Sequence, residues 1–271
     1  HTRSFHVTGV QTCALPIYVL KGLALMSVAT AALFAQAPAA APAAAGPSPE
    51  EIKDIQAIQQ KQVATAADAD AKMTMVNQFV AKYPTSTLKG YVLTLGGEAA
   101  QAKRDTARAR YYYEQGIAAD PQNDYAMGML GAEIAQNTGE HDLDKKDKLT
   151  RAEKLAKDAI ALIEKRQKQP QEQQAQFDQE KAMDMARAHM TLGLVAMADQ
   201  KDEAAGNEFL QAAAGDAMNL LRAGMAFNNA KKIDQANAAL DRFIGIPGLP
   251  DQYKKMAEDE KKRGQQLKNG K

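Results

Sequence analysis

Four glycines constrain this chain more than any other feature. Gly97, Gly131, Gly193 and Gly224 each fall mid-way along a stretch with helical apolar spacing, where glycine costs about 1 kcal/mol relative to alanine. They are separated by 34, 62 and 31 residues, close to one, two and one units of a common period. Twelve residues after three of them stands an alanine: Ala109, Ala205 and Ala236. Four further on comes a bulky residue (Tyr113, Phe209, Leu240), and three beyond that Gly116, Ala212 and Phe243. A chain that repeats a costly residue at a fixed period is reserving space at helix crossings. The spacing predicts helices in pairs. A small residue on one helix faces a small residue on the next, and the bulky residue fills the adjoining gap.

Composition bears on the same point. Apolar residues make up 45% of the 271 and aromatics only 6%, poor material for a β-sandwich. Between Glu50 and Ile246 there are three prolines, Pro84, Pro121 and Pro170, in a chain rich in Ala, Gln, Lys, Glu and Met. Ser48 before Pro49, Glu50 and Glu51 reads as an N-cap, a first-turn proline and two acids facing the helix dipole. Ile52, Ile55 and Ile58 follow at helical spacing, then Met73, Val76, Phe79 and Val80, with a stop at Tyr83-Pro84. No run of alternating strand residues appears. A polar run over 251–271 suits a C-terminal capping helix near 250–268. Formal net charge is +1, with no basic stripe, so a nucleic-acid partner is not expected.

These residues resemble the tetratricopeptide repeat family, a 34-residue helix-turn-helix unit. Leu130-Gly131 and Leu192-Gly193 match its Leu-Gly in the first helix. Tyr113, Gly116 and Pro121 match the close of one repeat, Ala205, Phe209 and Ala212 that of another, and residues 79–84 the end of a first. The resemblance covers residues 50–248 in about five units, with 249–271 as cap and tail. It implies an all-α, right-handed helical-repeat solenoid. The unit with Gly131 departs from the pattern. His141 to Lys148 is extra, the second helix resumes at Ala152, Ala156 and Ala159, and a Gln/Lys-rich tail spans 163–176. The last two units close without a proline in register, and no tryptophan is present.

The resemblance further implies a non-catalytic scaffold that binds a protein or peptide in a concave groove lined by the first helix of each pair. Carried over by position, the groove residues are Tyr91, Tyr125, Arg187, Met190, Leu221, Asn228 and Asn229. They lack the Lys/Asn set of members that hold a C-terminal carboxylate. The alternative is a structural cell-envelope assembly subunit that self-associates or uses its convex face. A third possibility is a helical enzyme or metal-dependent binder.

The N-terminus carries a different kind of information. Back-translated, residues 7–17 fit a common short-read sequencing adapter, and His1-Thr2-Arg3 fits its upstream arm. Residues 1–17 therefore resemble a translated adapter rather than native protein. The one cysteine, Cys13, lies there, so no disulfide or Cys-ligated metal is expected. After it come Lys21, an apolar run over 23–34 and Ala35-Gln36-Ala37, a positive, apolar and small-residue order typical of a signal peptide over 18–37. The run is shorter than the roughly 20 residues that span a bilayer. Residues 38–49, almost all Ala and Pro, read as a linker. A periplasmic or secreted protein with no membrane anchor after cleavage is the expectation.

Chemistry finds little support. Tyr111, Tyr112 and Tyr113 point about 100° apart in a helix, which suits core packing with partial exposure. Residues 142–147 resemble a calcium loop with Glu153 at its twelfth place. Lys146, however, occupies a ligand position, and Asp147 stands where the turn glycine is needed. His141 among scattered acids is weak as a zinc site. His189 reads as a packed or hydrogen-bonded histidine. No Ser-His-Asp order, phosphate loop or H-E-x-x-H is present, and no cofactor is expected.

Overall fold

A computed structural model describes residues 46–270 apart from 169 and 171. The adapter-like and leader segments, and the linker up to residue 45, lie outside the described residues. Eleven helices and no strand occur among the described residues. They are α1 (Pro49–Gln60), α2 (Ala66–Lys82), α3 (Lys89–Ala102), α4 (Thr106–Ala119), α5 (Asp124–Gln136) and α6 (Lys145–Lys165), then α7 (Gln174–Ala198), α8 (Asp202–Ala212), α9 (Met218–Asn229), α10 (Ile233–Ile244) and α11 (Asp251–Lys268).

Each helix packs on the next, which makes a helical-repeat solenoid of five pairs, with α11 closing the end on α10 and α9. First helices also touch across pairs, α1 on α3, α5 on α7 and α9 on α11. Ser48 is the N-cap its sequence suggests, and with Glu51 it forms a capping box. Ser48 Oγ accepts from the Glu51 N–H, and the Glu51 carboxylate accepts from the Ser48 N–H. In α2, Met73, Val76 and Phe79 are buried, and the helix stops at Lys82 with Tyr83 as its C-cap.

The glycines work by a sharper rule than small against small. A Cβ on Gly97 would collide with the Tyr113 ring. On Gly193 it would lie 2.7 Å from Phe209 Cδ1, and on Gly224 2.5 Å from Leu240 Cγ. Each of these three glycines therefore receives the bulky residue itself, sixteen positions on, as a knob in a socket. Tyr113, Phe209 and Leu240 are all fully buried as a result. A further socket joins successive pairs, where Gly206 on α8 receives the Phe227 ring of α9.

The socket register follows from a shared turn. Arg104, Gln200 and Lys231 have φ of 63°, 60° and 58°, the left-handed region. Each sits seven residues after its socket glycine, and the next N–H reaches back five residues, as in Lys201 N–H to Ala196 O at 2.8 Å. The same closure links Asp105 to Ala100 and Lys232 to Phe227. Three pairs thus turn identically. The α5–α6 pair does not: residues 137–144 form a longer connection, and α6 approaches α5 through Ala152, Ala156 and Ala159, all fully buried.

The Gln/Lys-rich stretch over 163–176 is divided, with 163–165 ending α6, 174–176 opening α7 and the residues from 166 to 173 outside both helices. Ile163 is buried in α6, and α7 begins at Gln174, nineteen residues before Gly193, where α3, α5 and α9 begin six to eight residues before theirs. About three extra turns therefore precede the repeat-like part of α7.

Candidate partner-binding surface

Tyr91, Tyr125 and Arg187 each stand six residues before one of the periodic glycines (Gly97, Gly131, Gly193), so they occupy one register on three first helices, α3, α5 and α7. All three are half-buried. Gln59 Nε2 of α1 donates to the Tyr91 hydroxyl at 2.5 Å. Burial holds the Tyr91 phenol above its usual range, against the pull of that hydrogen bond. The Arg187 guanidinium lies 4.5 Å over the Tyr125 ring, a cation–π contact between neighbouring pairs.

Behind this contact runs a chain of alternating charges. Arg187 binds Asp184 at 2.8 Å, Asp184 binds Arg166 at 2.9 Å, and Arg166 binds Asp124 at 2.5 Å. Burial works against the Arg166 charge, but the bond to Asp124 and the charges of Asp124 and Asp184 outweigh it and hold its pKa above the ordinary value. The chain ties the start of α5, the end of α6 and the middle of α7 together. It fixes where Arg187 and Tyr125 stand. Sequence reasoning missed Asp124, Arg166 and Asp184, because Arg166 follows a helix whose end carries no cap signal. The adjacency of Asp124 to Tyr125 at a helix start was the available clue.

Two of the seven groove candidates need correction. Leu221 is 3% exposed and packs among Leu220, Leu240, Phe243 and Ala257, between α9, α10 and α11. Asn228 is fully buried beneath α11, where its Nδ2 donates to the backbone and carboxylate oxygens of Glu260 at 2.9 and 2.8 Å. The capping helix covers both positions, so neither lines an open surface. Met190 is half-buried. Asn229 is exposed, with its side-chain oxygen accepting from Arg263 at 2.9 Å.

The remaining sequence candidates have structural partners. Tyr113 is in the core, Tyr112 is 4% exposed with its hydroxyl 3.0 Å from Asn77 Oδ1, and Tyr111 is exposed. His189 Nδ1 lies 2.7 Å from Glu208 Oε2, joining α7 to α8. In the calcium-like loop, Lys148 Nζ sits 2.8 Å from both Asp142 and Asp144, and the Gly139 N–H donates to Asp142. A lysine ammonium thus takes the place a cation would fill. Among the described residues no group of three or more His, Cys, Asp or Glu side chains is arranged to hold a metal ion. No described helix is long and apolar enough to cross a membrane.

No family model matches the chain, and no curated protein sequence matches it. Among solved structures it is similar to a thermophilic TPR protein of Thermus thermophilus, at 14% identity and a TM-score of 0.53. That match covers 78% of this chain and 98% of that one. An assembly chaperone of RpL4 matches at 10% identity and a TM-score of 0.42, over 81% and 98% of the two chains. The first likeness shows a tetratricopeptide-like helical-repeat fold.

Proposed function

We propose that this chain is an exported, non-catalytic scaffold that binds a protein or peptide on the face formed by its first helices. The observation that carries the reading is the alignment of Tyr91, Tyr125 and Arg187 in one register on three successive pairs, with Arg187 and Tyr125 stacked and braced from behind. Aromatic and arginine side chains are those that most often dominate a protein interface, and a rigid support lowers the entropy lost when a partner arrives. The fold supports the reading, since stacked helical pairs present an extended surface built from equivalent positions. Export rests on the sequence alone, on the apolar run and the Ala-x-Ala motif.

The test is a pull-down from envelope extract with the Tyr125→Ala/Arg187→Ala double variant. Asp184 keeps its bond to Arg166 in that variant, so helicity by circular dichroism stays at the wild-type level. Loss of the captured partner is the expected result. Full retention places binding on another face and moves the envelope-assembly reading ahead. Mass spectrometry of protein expressed with a start codon before residue 18 reads the leader separately, with trimming expected between Ala35 and Ala40.

A further inference from the structure

Lys72 is a lysine in a place that other pairs give to alanine. It stands twelve residues before Pro84, as Ala109 stands twelve before Pro121, and Ala109, Ala205 and Ala236 in that register are all fully buried. On α2 it belongs to the buried stripe of Ala69, Met73, Val76 and Phe79, and it is itself 9% exposed. The first helix of its pair accounts for the longer side chain. Helices α3, α5, α7 and α9 each run five residues past Gly97, Gly131, Gly193 and Gly224. Helix α1 ends at Gln60, twelve residues before Lys72 and so at the position those glycines hold, and residues 61–65 are not helical. A first helix that stops early leaves room for a four-carbon stem.

The ammonium has no counter-charge in contact with it. Asp68, one turn earlier on α2, has the spacing that pairs an acid with a lysine on one helix. It binds Lys61 at 2.6 Å instead and accepts from the Thr65 hydroxyl at 2.8 Å. Asp70 binds Lys103 at 2.7 Å. Among the described residues Lys72 has no ion-pair or hydrogen-bond partner. Its nitrogen nevertheless reaches solvent, because the fully buried side-chain atoms without a partner belong to Arg110, Asn228 and Asn237. Burial pulls the Lys72 ammonium below its ordinary range, against the charge of Glu98 on α3.

An amine held this way is a nucleophile. Desolvation favours its uncharged form, and the stem packed along the core fixes where the nitrogen stands. A reaction that leaves a neutral group there removes a charge that nothing in contact compensates. Condensation with an aldehyde does so. The ammonium releases one proton to water, and the nitrogen lone pair then attacks the carbonyl carbon. The carbonyl oxygen takes the two remaining nitrogen protons by way of solvent and leaves as water, and a C=N bond replaces the C=O bond. Nothing is oxidised or reduced. The charge of Glu98 opposes an aldehyde that carries a carboxylate.

We infer that Lys72 is a covalent attachment site for a small uncharged aldehyde, held as an imine. The inference goes beyond the proposed partner binding and does not draw on the first-helix face.

The test treats the full chain at neutral pH with propanal and cyanoborohydride, which reduces each imine to a stable amine, and follows the individual lysines by peptide mass spectrometry. Exposed Lys146 and Lys255 serve as internal references. Lys72 is expected to label at least tenfold faster than either. Lys72→Ala, which installs the residue of the other pairs, is expected to keep its helicity by circular dichroism and lose the fast event, with labelling of Lys146 and Lys255 unchanged. With glyoxylate in place of propanal, the advantage of Lys72 over Lys255 should fall at least threefold. Lys72 labelled no faster than Lys255, or left unlabelled, overturns the inference. So does a fast event that persists in Lys72→Ala, and an undiminished advantage with glyoxylate overturns the choice of an uncharged aldehyde.

Discussion

The α7–α8 and α5–α6 pairs solve the same packing problem in different ways. In α7–α8, Gly193 is a socket for the Phe209 ring, and the tight turn at Gln200 sets the register that brings them together. In α5–α6 the turn is longer by several residues, and no ring reaches Gly131. Its Cβ position would instead meet Thr191 Cγ2 at 3.2 Å, Ala152 O at 3.3 Å and Leu155 Cβ at 3.5 Å. There the backbones approach through a row of alanines. A glycine at the same repeat position thus means a ring socket in one pair and plain proximity in the other, and the connection between the helices decides which.

The comparison breaks most readily at the rings. Phe209→Ala leaves an empty socket in a closed core and should cost about 3–5 kcal/mol in denaturant unfolding. Leu155→Ala, at a half-buried residue beside Gly131, should cost about half of that or less. Near-equal losses would mean that the two pairs are packed alike after all. Next come the glycines. Gly193→Leu should destabilise by about 3 kcal/mol, because the Phe209 ring has no space into which to retreat. Gly131→Ala should lie within about 0.5 kcal/mol of wild type, its tighter contacts offset by the gain of about 1 kcal/mol in helix propensity.

The part of this difference that lay in the sequence was the spacing. Sixteen residues from Gly97, Gly193 and Gly224 lead to the residue each receives, and the extra residues after Gly131 signalled that its pair would differ. What spacing could not supply was any contact made from a distance. Leu221 and Asn228 read as surface positions on α9, because the helix that covers them begins more than twenty residues later. The first three turns of α7 have no continuous apolar stripe, so nothing local separates them from a polar tail. Gly206 and its ring Phe227 lie across successive pairs, outside the within-pair comparison that exposed the other sockets.

The turns sharpen the contrast at a smaller scale. Gln200 and Lys231 hold left-handed backbone without being glycine. Gln200→Gly and Lys231→Gly should each stabilise the chain by about 0.5–1 kcal/mol, since the strain relieved exceeds the entropy added to the unfolded chain. Thr138, seven residues after Gly131, has no such backbone, and Thr138→Gly should stabilise nothing. A gain there would show that its turn resembles the others in solution.

The smallest effect concerns Glu133 of α5. It is 3% exposed, and burial holds its carboxyl above the usual carboxylate range while Arg110, 3.7 Å away, pulls it down. A raised value in the folded state contributes stability at acid pH that is lost as pH rises from the ordinary carboxylate value through the folded one. Glu133→Gln should therefore flatten that segment of the Tm-against-pH curve, and Tm scans between pH 4 and 8 check it. An unchanged slope would assign the pH dependence elsewhere.

The contact of α5 with α7 has a mechanical side. Apart from lighter contacts of α1 on α3 and of α9 on α11, helices elsewhere hold their sequence neighbours, so tension applied at the two ends of the solenoid would peel them away one pair at a time. Where α7 rests on both α6 and α5, and the charges from Asp124 to Arg187 stitch three helices at one place, two seams must open together. Under load the ends part first and the middle last. In an optical trap the chain would give small early rips and one late, taller one, and the late rip would be the place where the stacked Tyr125 and Arg187 finally separate.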